Sequence, residues 1–153
     1  MNLESKIAHL KKLNILGIPK DKFTLIQSAW FPLMGIRING DLDFIIESSL
    51  IPLYKDKILK IKGLNIKINN NNYHQFGCIS DDDLIKNYSV IVDGYKFCYF
   101  KFYYRILKQR RHSLQKKDSK GIRDIDNVND FFKNNKHLQH LFKNIPLHTW
   151  GIP

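Results

Sequence analysis

No run of eighteen apolar residues occurs anywhere in this 153-residue chain, which predicts no membrane-spanning helix. The start, Met1-Asn2-Leu3-Glu4-Ser5-Lys6, carries charges and has no continuous apolar stretch, so it does not read as a secretory signal. Cysteine is scarce. Cys78 and Cys98 are the only two, and neither belongs to a C-x-x-C pair. They read as buried reduced thiols in a cytosolic protein, ahead of a disulfide or a metal site. Two glycine-rich phosphate patterns are missing, G-x-G-x-x-G and the Walker loop. Ser28 lacks the G-x-S-x-G surroundings of a hydrolase nucleophile. Acids are also in deficit: 14 Asp and Glu stand against 25 Lys and Arg, a formal net charge of +11.

The basic residues are unevenly spread. Residues 101–120, KFYYRILKQRRHSLQKKDSK, are dense in Lys and Arg, with Asp118 as their one acid. Such a segment suits a polyanionic partner, and equally a solvated helix face. Its aromatics, Tyr99, Phe100, Phe102, Tyr103 and Tyr104, can stack on bases or pack a helix into a core; the spacing of Phe100, Tyr103 and Tyr104 favours packing. His137 and His140 are i, i+3 on one predicted helix face, without an acid or cysteine at ligand spacing, and read as a surface pair.

The length suits a single domain over 1–153, with a core at about 20–130, an added N-terminal helix and a helical tail. Leu3, Ile7, Leu10 and Leu13 predict a helix over 3–14, stopped by Gly17 and Pro19. Strands are predicted at 23–28, 41–46 and 64–68. Helices follow Pro52 and the Ser80 cap, whose acids Asp81, Asp82 and Asp83 suit a helix N-terminus. Asp93-Gly94 between two β-rich arms predicts a hairpin. Further helices are expected at 100–109, along Ile122, Ile125, Val128 and Phe132, and at 136–142. Interleaved helices and strands give an α+β or α/β fold with a small mixed sheet flanked by helices.

Against the shortage of acids, Asp41 and Asp43 stand one residue apart at the head of an apolar strand, behind the Asn39-Gly40 turn signal. At i and i+2 both carboxylates leave one face, their Cβ atoms about 6–7 Å apart. A divalent cation between them offsets the repulsion, and Mg²⁺ favours carboxylate oxygen together with waters and substrate phosphates. Spacing alone also fits a solvated strand edge that resists aggregation.

The stretch LIQSAWFPLMGIRINGDLDFII resembles the nucleotidyltransferase superfamily, in particular the polymerase-β-like minimal domains. Their pattern is a strand ending in Gly-Ser, a short helix, then Asp-x-Asp on a strand. Gln27-Ser28 stands at the Gly-Ser position, with twelve residues between Ser28 and Asp41. Gly35-Ile36-Arg37 and the later hairpin, basic helix and SKGIRDIDNV, with Lys120 and Asp124, extend the likeness to about residues 20–130. The resemblance implies Asp41 and Asp43 as catalytic, metal-binding carboxylates for Mg²⁺ or Mn²⁺. Ser28, Arg37 and Lys120 would be nucleotide-phosphate contacts. It implies transfer of a nucleoside monophosphate from an NTP to an acceptor such as a sugar phosphate, RNA or protein. The alternative is an inactive module of the same fold that binds nucleic acid through 101–120.

Three departures are visible. Gln27 replaces a glycine, and Gly121 stands where the second pattern often has Asp. The third carboxylate expected on a later strand has no match in LNIKI, residues 64–68, and Asp93 reads first as a turn residue.

Overall fold

The structure, a computed structural model, describes residues 2–69, 80–113 and 119–136, with side chains to 109 on one helix and from 123 on the next. Chain contacts group it into two compact units, Met1–Cys98 and Tyr99–Pro153. The architecture is mixed α+β.

The first unit is built on a five-stranded sheet in the order β3-β2-β1-β5-β4. Its strands are β1 (Phe23–Leu25), β2 (Leu42–Ile46), β3 (Leu64–Ile66), β4 (Ser89–Val92) and β5 (Tyr95–Cys98). β1 runs antiparallel to β2 and parallel to β5; β2 and β3 are parallel, and β4 and β5 form an antiparallel hairpin. Asp93 and Gly94 both take positive φ, 51° and 84°. That is the two-residue turn whose twist matches paired strands.

Alternation sorts the two faces. Leu42, Phe44 and Ile46 are buried with Phe23, Leu25, Tyr95 and Phe97. Trp30 packs on Phe97 with ring centroids 4.9 Å apart, and its indole N–H donates to the Cys98 carbonyl at 2.9 Å. The N-terminal segment meets this face, since Asn14 Nδ2 donates to the Tyr95 hydroxyl at 2.6 Å. The opposite face carries Thr24, Asp43, Ile45, Lys96 and Ser89. A helix over Asp81–Asn87 covers part of it, its Leu84 and Ile85 carbonyls accepting from Ser89 Oγ and Lys96 Nζ. As its sequence suggests, Ser80 caps that helix by accepting from the Asp83 N–H at 3.1 Å.

The helix expected over 3–14 is two short ones, α1 (Leu3–Lys6) and α2 (Leu10–Ile15). All four apolar positions are buried as the periodicity requires. The break has a tertiary cause. Buried Asn39 accepts from the Ala8 N–H at 2.9 Å and donates to the Ala8 carbonyl at 3.1 Å, taking both groups out of the helical ladder. His9 then adopts φ 70°, and its ring lies where a Cβ on Gly63 would fall.

Three more helices of this unit follow the sequence closely. Pro32 lies in the first turn of α3 (Phe31–Met34), and Pro52 in that of α4 (Ile51–Leu59). The helix at Asp81–Asn87 is α5.

The second unit contains α6 (Phe100–Ser113) and α7 (Ser119–Asn134). Phe100, Tyr104 and Phe132 form a ring cluster with centroid separations of 5.8 to 6.4 Å. The Tyr104 hydroxyl donates to Asn129 Oδ1 at 2.6 Å, and burial raises its pKa. Ile125, Val128 and Phe132 are buried as the stripe required. Residues 137–142 of the helix expected at 136–142, Cys78, and the His137–His140 pair lie outside the described residues. Cys98 is a buried thiol. Among the described residues no helix is long and apolar enough to cross a membrane.

Asn39→Ala leaves the Ala8 N–H and carbonyl without their partner in a part-buried place. It should cost about 2 kcal/mol, read as a lower urea midpoint at unchanged slope. An unmoved midpoint would show that the clamp contributes nothing.

Candidate functional site

β1 ends earlier than its apolar run suggests. Gln27 takes φ 57°, which turns the chain out of the sheet and into the 3₁₀ turn Gln27–Trp30 that leads to α3. A left-handed backbone costs a residue with a Cβ about 1–2 kcal/mol and glycine almost nothing. Gln27 thus holds a backbone geometry usually left to glycine.

The Ile26 N–H donates to the Asp43 carbonyl at 3.1 Å. This continues the β1–β2 ladder one step past Leu25↔Phe44 and sets Ile26 opposite Asp43. The turn carrying Gln27 and Ser28 therefore leaves β1 at the end of the sheet where Asp41 and Asp43 enter β2. Ser28 is half-buried.

The two carboxylates differ in environment. Asp43 is inside β2 and half-buried; its Oδ1 accepts from Asn65 Nδ2 at 2.8 Å. Asp41 lies one residue ahead of β2 and is exposed. Its carbonyl accepts from Asn39 Nδ2 at 3.5 Å, while the next amide, on Leu42, bonds the Gly63 carbonyl at 2.7 Å. Gly35 closes α3 in the left-handed region, φ 69°, and starts the loop that delivers them.

Arg37, in that loop, is half-buried. Its guanidinium lies over the Phe31 ring at 4.9 Å and donates to the Ile38 carbonyl at 3.1 Å. It also lines a shallow depression of about 350 Å³ with Ser5, Lys6, Pro32 and Gly35. Lys120 belongs to α7, in the other unit, and its side chain lies outside those described. Asp124 of the same helix is buried.

Asp93 occupies the β4–β5 turn. β5 runs parallel to β1 with Phe97 beside Leu25, so the turn lies at the end of the sheet away from Asp43. The neighbouring Tyr95 ring carries Lys20 at 4.3 Å there. Asp93 is therefore a turn residue. Among the described residues no group of three His, Cys, Asp or Glu side chains is placed to hold a metal. The pair that exists offers oxygen donors alone, which fits Mg²⁺ or Mn²⁺, ions that keep waters and phosphates as further ligands.

Two features escaped sequence reasoning. One is Asn65, the β3 residue in register with Asp43. Its signal was present as two apolar–polar–apolar triplets, Leu42-Asp43-Phe44 and Leu64-Asn65-Ile66. The other is a cleft of about 420 Å³ at the opposite end of β1 and β2, lined by Asp21, Lys22, Glu47, Asp82, Lys86 and Lys96. Its charges are largely used within the fold. Lys22 pairs with Glu47 at 2.9 Å. Asp82 accepts from the Ser48 N–H and hydroxyl at 2.7 and 2.5 Å, capping the turn that opens α4.

No protein family, curated protein or solved structure matches this chain.

Gln27→Gly relieves the left-handed strain and should raise stability by about 0.5–1 kcal/mol, after glycine's larger chain entropy is subtracted. Urea denaturation measures it. A clear loss of stability would mean that the Gln27 side chain, rather than its backbone, holds the turn.

Proposed function

We propose that the first unit is a nucleotidyltransferase-type domain that moves a nucleoside monophosphate from an NTP to an acceptor. One observation carries the reading. The Ile26–Asp43 hydrogen bond brings the Gln27-Ser28 turn and the Asp41–Asp43 pair to the same end of one sheet. A Gly-Ser-like turn and an Asp-x-Asp strand become a single place only through that register.

In this reading Asp41 and Asp43 hold Mg²⁺ or Mn²⁺ through their carboxylate oxygens. The bound ion supplies charge neutralisation to the triphosphate and orientation for in-line displacement. Ser28 donates its hydroxyl to a phosphate oxygen. Arg37 adds positive charge for phosphates. The acceptor oxygen forms a bond to the α-phosphorus, the α–β bridging bond breaks, pyrophosphate leaves, and the acceptor proton passes to solvent. The acceptor class is a sugar phosphate, an RNA end or a protein side chain. The buried thiol of Cys98 suits a reducing cytoplasm.

A second reading draws on the neutral Asn65 beside Asp43. Lacking an acid there, the chain would transfer nothing and would bind nucleic acid through 101–120 of its second unit.

Incubation with α-³²P-NTPs and Mg²⁺ should give labelled acceptor or labelled protein, and Asp41→Asn or Asp43→Asn should each reduce it by about 100-fold or more. The measurement is phosphorimaging of separated products, with EDTA as blank. Labelling indifferent to both substitutions would end the first reading. Binding of RNA or DNA that survives the double substitution and falls steeply with salt would select the second.

A further inference from the structure

We propose that Asn65 is a positioning residue that holds Asp43 and restricts the Asp41–Asp43 site to one divalent cation. The inference rests on the nucleotidyl-transfer reading of that site.

β2 and β3 are parallel, with Leu42, Asp43 and Phe44 in register with Leu64, Asn65 and Ile66. Residues in register on neighbouring strands share a face and stand about 5 Å apart. Asn65 uses that closeness to donate Nδ2 to Asp43 Oδ1 at 2.8 Å. On the other side of Asp43 the row continues through Ile26 of the β1 edge to Cys98, one step past the Leu25↔Phe97 pair. The row therefore offers a hydrocarbon and a thiol on one side of Asp43 and an amide on the other. The amide is the only place in it where an acid of similar shape would meet Asp43 directly.

Asparagine and aspartate differ there by charge and by one donor. A carboxylate at position 65 would face another carboxylate at hydrogen-bond distance, and the like charges would repel until cations intervened. Three carboxylates call for two divalent ions, whereas two are balanced by one. The amide adds no charge. Its N–H fixes the Asp43 carboxylate without any ion, so the site is preorganised before metal arrives. Two-cation centres use one ion at the leaving oxygens and the other at the attacking oxygen. With Asn65 in place the β2–β3 pair provides for the phosphate side and offers no carboxylate on β3 to take the acceptor proton. The expected behaviour is firm nucleotide holding with slow transfer.

The test counts Mn²⁺ by the EPR signal of the free aquo ion, on the full chain saturated with a non-hydrolysable NTP analogue, with the analogue alone as blank. The wild-type chain should bind one Mn²⁺, and Asn65→Asp should bind two. Asn65→Ala should keep one, with affinity weakened about 10-fold. Circular dichroism confirms that each variant is folded. Two ions on the wild type, or one on a folded Asn65→Asp, overturns the inference while leaving the transfer reading intact. Should Asn65→Asp fail to fold, Asn65→Ala decides: unchanged affinity overturns the positioning role. No Mn²⁺ on the wild type removes the transfer reading itself, and the inference with it.

Discussion

The antiparallel pairing of Phe23–Leu25 with Leu42–Ile46 is the constraint on which the rest depends. It buries Leu42, Phe44 and Ile46, at roughly 1.5–3 kcal/mol for each side chain. The same alternation sends Asp43 to the other face. A slip of one residue would exchange the two sets, putting Asp43 into the apolar face and the three hydrophobes out of it. The core therefore fixes the face that carries Asp43, because the burial of its neighbours sets the strand's register.

The two ends of the sheet treat their charges differently. At the end away from Asp43, Lys22 and Glu47 satisfy each other. Their hydrogen bond and attraction hold the Glu47 carboxyl below its ordinary pKa and raise that of Lys22. That stabilisation is in place at neutral pH. It is lost as pH falls through the depressed Glu47 value, and again as pH rises through the raised Lys22 value. Both groups are at the surface, so it is small and screened by salt. At the opposite end Asp41 is exposed, and Asp43 takes an uncharged amide hydrogen bond.

The basic segment gains a narrower meaning from the structure. Phe100, Phe102, Tyr103 and Tyr104 are buried, so packing claims the rings that composition also offered to bases. Lys101 lies over the Tyr99 and Phe102 rings at 5.5 and 5.0 Å, and Lys108 over Tyr104 at 5.6 Å. Lysines placed this way rest their stems on apolar surface and keep their charge toward water. In this segment the buried aromatics serve the fold.

Local chemistry was legible in the chain by itself. The Ser80 cap, the Asp93-Gly94 turn, the prolines at helix starts and the alternation in 42–46 act within a few residues, so the sequence determined them without reference to the rest. The adjacency of Asp41 and Asp43 belongs to the same class. Tertiary structure decided what depends on distant partners. Helix 3–14 is broken because Asn39, 31 residues from Ala8, takes its backbone groups. The first strand stops at Leu25 because Gln27 adopts a glycine-like turn that no propensity for glutamine foretells. The neighbour of Asp43 is an amide because β3, 22 residues on, docks parallel and in register. Hydrogen bonds over such separations form only once the sheet has been assembled, and matching triplets along the chain do not by themselves select which strands pair.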